Sequence, residues 1–218
     1  MKNKMWLYYF FMLLPLLVTL VIFPFLPETI PAHYNFAGEV DRWGSKFETF
    51  IFPFCTIAMG VFMLWMAKIA AKDEKGGKNN EKIVFCTGMG ISIWFAILHG
   101  HSLYMDFALA EKVFETPVDI NKLICILLGI GIAVTGNFMP KLRNNAVMGL
   151  RTIWSMKNDT TWKKSQIFGG ASFMIIGVLT VIAGIFFEGY TAMFIALGLL
   201  VTDTVVCVIY TYKVAQKY

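Results

Sequence analysis

The chain has 218 residues, of which 57% are hydrophobic and only 15% charged, with a formal net charge of +5. A soluble domain of this size has too little interior for so much apolar surface, so lipid must cover part of it. A free basic module for nucleic acid is thereby excluded, and the positive balance reads as membrane topology and attraction to anionic lipid.

Apolar runs of membrane-spanning length follow one another from Trp6 to Leu26, Phe47 to Ala71, Ile83 to Tyr104, Leu123 to Met139, Ile167 to Phe187 and Tyr190 to Tyr212. Each approaches the roughly 20 helical residues needed to cross a hydrocarbon core of about 30 Å. The runs are continuously apolar and lack the alternation of barrel strands. The predicted fold is therefore all-α: a polytopic integral membrane protein with a bundle of six transmembrane helices. A single membrane domain, 1–218, divides into an N-terminal part (1–71), a cytoplasmic linker (72–82) and a C-terminal part (83–218). No internal repeat is visible, and Asp73 to Glu81, with paired glycines and asparagines among charges, reads as solvated linker.

The short basic start before the first run resembles that of a signal peptide, but the run is long and lacks a small-residue cleavage site, so it is expected to stay uncleaved. All but four of the 19 Lys and Arg residues fall before the first span, in or around the loop between the second and third, between the fourth and fifth, and after the sixth. Lysine and arginine are kept in cytoplasmic loops, so both termini are expected in the cytoplasm. The opposite side receives Arg42, Lys46, Lys112 and Lys122 with Glu28, Glu39, Asp41, Glu48, Asp106, Glu111, Glu115, Asp119 and Glu188.

Pro15, Pro24 and Pro53 are expected to interrupt backbone bonding in the first two spans. Gly170, Gly177 and Gly184 recur every seven residues in the fifth and leave one face open for close helix approach. Gly129, Ala133 and Asn137 form a small-residue stripe on the fourth that is expected to face protein. Cys55, Cys86, Cys125 and Cys207 lie inside spans without metal-ligand spacing and read as structural thiols.

Two loops carry most of the specific information. The first, residues 27–46, contains Pro27 and Pro31, turn-compatible Asn35 and Gly38, and several aromatics, and is expected to form a folded outer cap. The second, residues 140–166, mixes cations with Trp154 and Trp162 and suits an interfacial segment lying against anionic lipid, with Asp159 as helix cap. Gly38 and Gly149 are expected to shape their loops.

Pro31-Ala32-His33-Tyr34-Asn35, followed by Gly38 and Asp41, resembles the N-terminal Pro-x-His-aromatic-Asn-x-x-Gly-x-x-Asp segment of the SdpI family of bacterial membrane proteins. Gly136-Asn137-Phe138-Met139-Pro140-Lys141, then Gly149-Leu150-Arg151-Thr152 with Trp154 and Trp162, is similar to that family's C-terminal signature. The resemblance implies a multi-pass protein of the bacterial cytoplasmic (inner) membrane that confers immunity to a secreted toxin peptide. In the family's best-known member this is joined to signalling by holding a transcriptional repressor at the membrane.

On this reading the toxin-contact candidates are His33, Asn35, Asp41, Arg42, Trp43 and Lys46, and the cytoplasmic partner candidates are Asn137, Lys141, Arg143, Arg151, Thr152 and Trp154. The expected partners are the lipid bilayer, a toxin peptide outside and a repressor inside, with no direct nucleic-acid contact.

No catalytic group, cofactor or metal is expected. His99 and His101 are about 200° apart around a helix, and His99 and Asp106 share a face but lie about 10 Å apart along it. The hydrolase and nucleotide-binding motifs are missing from the sequence. Two intramembrane polar residues remain, His99 and Asp203. A carboxylate at the depth of Asp203 needs a partner, water or a proton, and Asn137 and the histidines are its candidate partners. The alternative function is a small proton-coupled or drug-exporting transporter centred on Asp203, and a lipid-modifying enzyme ranks third.

Overall fold

The computed structural model describes residues 4–35, 39–72, 76–111 and 119–218. Lys2, Gly38, Asp73, Lys75, Lys112 and Glu115, which entered the sequence reading, lie outside them. The helices are α1 (Met5–Ile22), α2 (Ile51–Ala70), α3 (Gly77–Glu111), α4 (Ile120–Phe138), α5 (Asp159–Phe186) and α6 (Gly189–Lys217). Each of the six belongs to a segment long and apolar enough to cross a membrane. Between α1 and α2 the chain makes the strands β1 (Thr29–Tyr34) and β2 (Val40–Ser45), paired as an antiparallel hairpin.

Helices α1, α2 and α3 pack together, and α4, α5 and α6 form a second group. In the first, Tyr8, Met12, Ala67, Ala70, Val84 and Phe85 make a buried cluster, and the Tyr8 hydroxyl donates to the Gly60 carbonyl at 2.9 Å. In the second, α4 and α5 meet through glycine. A Cβ on Gly177 would lie 2.6 Å from the Ala133 nitrogen and 2.7 Å from the Gly129 oxygen, and one on Gly170 would lie 2.7 Å from the Gly136 oxygen. The seven-residue glycine spacing thus does what it implies. Asn137, by contrast, is exposed, and the neighbouring Gly136 takes the contact.

The prolines depart from expectation. Pro24 sits in a 3-10 turn, and Pro53 occupies the first turn of α2, where its missing N–H has no intrahelical acceptor to leave empty. Of the three, Pro15 alone lies beyond the first turn of its helix, and its carbonyl accepts from the Thr19 hydroxyl at 2.9 Å. The linker is also shorter than expected, because α3 starts at Gly77. Asn80 is fully buried rather than solvated: its amide oxygen accepts from the Arg143 N–H at 3.0 Å and its amide nitrogen donates to the Arg143 carbonyl at 3.4 Å. Asn79 donates likewise to the Lys141 carbonyl. These bonds, with the buried cluster of Ile83, Met139, Leu142 and Trp162, tie the two helix groups together at the end carrying the termini.

Candidate functional site

The hairpin is a small, self-paired cap. Pro31 and Pro27 bias their segments to extended backbone, and β2 returns with His33 opposite Arg42 and Tyr34 opposite Val40. His33 Nδ1 donates to Asp41 at 2.6 Å. The Arg42 guanidinium makes a two-pronged pair with Glu48, at 3.1 and 2.8 Å, and also donates to the Ala32 carbonyl. That pairing holds the Arg42 pKa above its ordinary value. Lys46 donates to Glu28 at 2.8 Å and stands over the Phe23 ring. Asn35 and Glu39 bond through both side chains and close the turn.

Most of the polar toxin-contact candidates are therefore partners within the hairpin or just beside it. Trp43 is different: at 52% exposure it presents an aromatic surface, and Phe47, four residues on, is more open still. Beneath the hairpin, Tyr34 is half-buried beside Asp106, and burial together with that carboxylate pushes its hydroxyl up to about 12. Asp106 is 1% exposed and neither of its oxygens has a protein partner. Glu28, Glu48 and Tyr34 are the hairpin residues that sequence reasoning passed over. The two glutamates flank the loop and match its cations in sign, which was the available signal.

At the other end, residues 142–158 form a fixed structure. Asn145 accepts from the Val147 and Met148 N–H groups and donates to the Arg143 and Met148 carbonyls, so one side chain sets a whole turn. Gly149 follows with φ +118, a region that favours glycine. Gln166, fully buried on α5, takes the Leu150 N–H and returns a bond to the Leu150 carbonyl, each at 2.9 Å. Ser155 and Thr152 exchange bonds, and the Thr152 hydroxyl donates to Thr211 on α6 at 3.0 Å. Trp154 meets Tyr212 edge to face.

Thr152 and Trp154 thus dock the loop on α6, while Lys141, Arg143 and Arg151 remain exposed. The loop packs against α3, α5 and α6, which its composition did not indicate, and Ile153, at 81% exposure, is its most open large apolar side chain. The helix cap is Asn158, whose side chain accepts from Thr160 and Thr161 in a capping box; Asp159 is the first helical residue.

The intramembrane polar residues are both partnered. Asp203 accepts from the Ser172 hydroxyl on α5, and the Cys207 thiol lies 3.7 Å from its other oxygen. Ser172, not Asn137 or a histidine, is the neighbour from another span. His99 Nε2 lies 2.7 Å from the Thr19 hydroxyl. Since Thr19 gives its own hydrogen to Pro15, it receives one from His99.

Two family models match, and they cover the two structured loops. Residues 10–57, from α1 through the hairpin into α2, match a domain of unknown function (DUF1648). Residues 141–211, from the folded loop through α5 and most of α6, match the SdpI/YfhL protein family. Along almost its whole length the chain is also 23% identical, over 204 residues, to the immunity protein SdpI of Bacillus subtilis (strain 168), covering 94% of this chain and 92% of the relative. The C-terminal part is thus similar to the SdpI/YfhL family, and the chain as a whole to one immunity protein, SdpI. No solved structure matches it. These similarities and the six spans make it a multi-pass protein of the bacterial cytoplasmic (inner) membrane.

Replacing Arg42 with Ala is expected to free Glu48 and open the base of the hairpin while leaving the bundle intact, because solvent-exposed ion pairs contribute little to global stability. Faster protease cleavage within residues 35–45 at an unchanged melting temperature is the expected result. An unchanged cleavage rate would show that the strand pairing alone holds the cap.

Proposed function

We propose that this protein belongs to the SdpI family and confers immunity to a secreted antimicrobial peptide, with the hairpin outside the cell and both termini and residues 140–166 in the cytoplasm. The observation that carries the reading is the correspondence, nearly end to end, with a protein that bears the name of an immunity protein. The distribution of Lys and Arg supports the orientation. Trp43 supplies the anchoring aromatic for the toxin, and His33, Asn35, Asp41, Arg42 and Lys46 hold the surface around it in one shape. A preformed surface loses less conformational freedom on binding than a flexible one.

On the cytoplasmic face, Asn137, Lys141, Arg143 and Arg151 offer an exposed, mainly cationic surface for a transcriptional repressor, with Thr152 and Trp154 fixing the loop beneath it. Such a relay requires two conformations that toxin and repressor favour differently.

The test is survival of toxin-sensitive cells expressing the parent or a His33→Ala, Asp41→Ala double variant at equal membrane levels. The exposed His33 to Asp41 contact contributes little to stability, so the double variant is expected to fold. Protection by the parent alone supports recognition through the hairpin. Failure of both proteins to protect, with both in the membrane, would overturn immunity to the toxin used. Equal protection would remove this pair from the mechanism.

Asp203→Asn is expected to retain protection, since an amide oxygen still accepts from Ser172 and the packing volume is unchanged. Loss of protection with normal membrane level and melting temperature would instead favour proton-coupled transport.

A further inference from the structure

At the termini end, between the close of α4 and the first turns of α5, lies a cleft of about 770 Å³ walled by Lys141, Arg143, Lys163 and Lys164. Asp159 is the one carboxylate in its lining, so positive charge prevails there. The positive end of the α5 helix dipole adds to it. The wall is built rather than loose: Asn80 grips the Arg143 main chain through both of its amide atoms, and the Trp162 indole donates to the Leu142 carbonyl at 2.9 Å.

The cleft also has a direction. Leu142 and Trp162 are buried at its apolar floor, while Ile167, one to two turns further into the span, is 48% exposed on the surface that continues down α5. One candidate spanning segment ends at Lys141 and the next begins at Asp159, so Lys141 and Arg143 lie at or beyond a segment end, Lys163 and Lys164 in the first turns of the next, and Ile167 further along it. Charge at the segment ends grading into open apolar surface matches an amphiphile with an anionic head.

We propose that this cleft binds the phosphate of an anionic phospholipid, with Arg143 and Lys163 as the principal donors and the acyl chains lying over Ile167 along α5. Arginine and lysine differ in the geometry they offer a phosphate: the guanidinium provides a fixed fork and the ammonium a point charge. Inorganic phosphate shares the head chemistry but has nothing to place on the apolar side. The site does not depend on immunity, and its test does not involve the toxin.

The full chain in neutral detergent would be melted with added phosphatidylglycerol, phosphatidylcholine or inorganic phosphate, beside an Arg143→Gln, Lys163→Gln variant. Both side chains are exposed, so the variant without lipid is expected to melt like the parent. Phosphatidylglycerol is expected to raise the parent's Tm, and the variant, which loses both principal charge-assisted donors, to need about tenfold more of it or beyond for the same shift. Should the first variant be unstable, Lys141→Gln with Lys164→Gln provides the same readout from the other two walls. A matching shift with phosphatidylcholine, or an undiminished phosphatidylglycerol shift in both variants, overturns the site. An equal shift from inorganic phosphate at the same concentration overturns the lipid as its occupant.

Discussion

Gly177→Leu is expected to disrupt the α4 and α5 interface severely. At this position an added Cβ meets backbone on two sides, the Ala133 nitrogen and the Gly129 oxygen, and backbone cannot rotate away as a side chain can. Overpacking a tight core ordinarily costs about 1–3 kcal/mol, and with two helices forced apart a loss of about 3 kcal/mol or more is expected. Melting in detergent is the measurement. Gly198→Leu on α6 is the control, because an added Cβ there meets nothing within 4 Å. If the two variants melt together, the glycine contacts do not hold α4 against α5.

The second large effect is expected at Gln166. Its side chain is fully buried and forms both bonds to Leu150, so Gln166→Ala leaves the Leu150 N–H without its partner and the Leu150 carbonyl with the Ser155 hydroxyl alone. One unsatisfied group costs about 1–3 kcal/mol, which is the expected loss. The loss should be local, releasing residues 149–157 before the helices melt, so trypsin should cut at Arg151 and Lys157 much earlier than in the parent. Gly149→Ala attacks the same latch from the other side, since its Cβ would lie 2.7 Å from the Gln166 oxygen on a backbone already at φ +118. Resistance to trypsin in both variants would show that the Thr152 and Trp154 contacts with α6 suffice to hold the loop.

The spans were legible because hydropathy is a one-dimensional signal that needs no knowledge of partners. The glycine repeat on α5 was legible for a related reason: its seven-residue period fixes a face whatever that face meets. On α4, Gly129 and Ala133 of the expected stripe do meet it, but the third member was read one position off, at Asn137 instead of Gly136. The linker was misread because Asn79 and Asn80 are polar, and polarity looks the same whether the partner is water or a carbonyl in another loop. Ser172 escaped notice as the partner of Asp203 for the same reason, since the two lie 31 residues apart.

At the hairpin, composition indicated a folded cap but not that its candidate residues pair among themselves. Charge alternation along a loop is compatible with both recognition and self-pairing. Register decides between them, and here bulges between Pro31, His33 and Tyr34 set that register.

The bond between Asn80 and Arg143 also imposes an order in time. Arg143 leaves the ribosome 63 residues after Asn80, which at about 5–20 residues per second is a delay on the order of 3–12 s. During that interval the first three helices can be inserted and packed, yet Asn80 lacks the backbone it grips in the finished protein and must bond to water or to lipid headgroups. Newly made α1 to α3 is accordingly the stage at which a membrane chaperone or a quality-control protease meets an incomplete surface. A polypeptide arrested before residue 143 should be degraded faster than one arrested after Gln166, which has both the Arg143 clasp and the Leu150 latch in place.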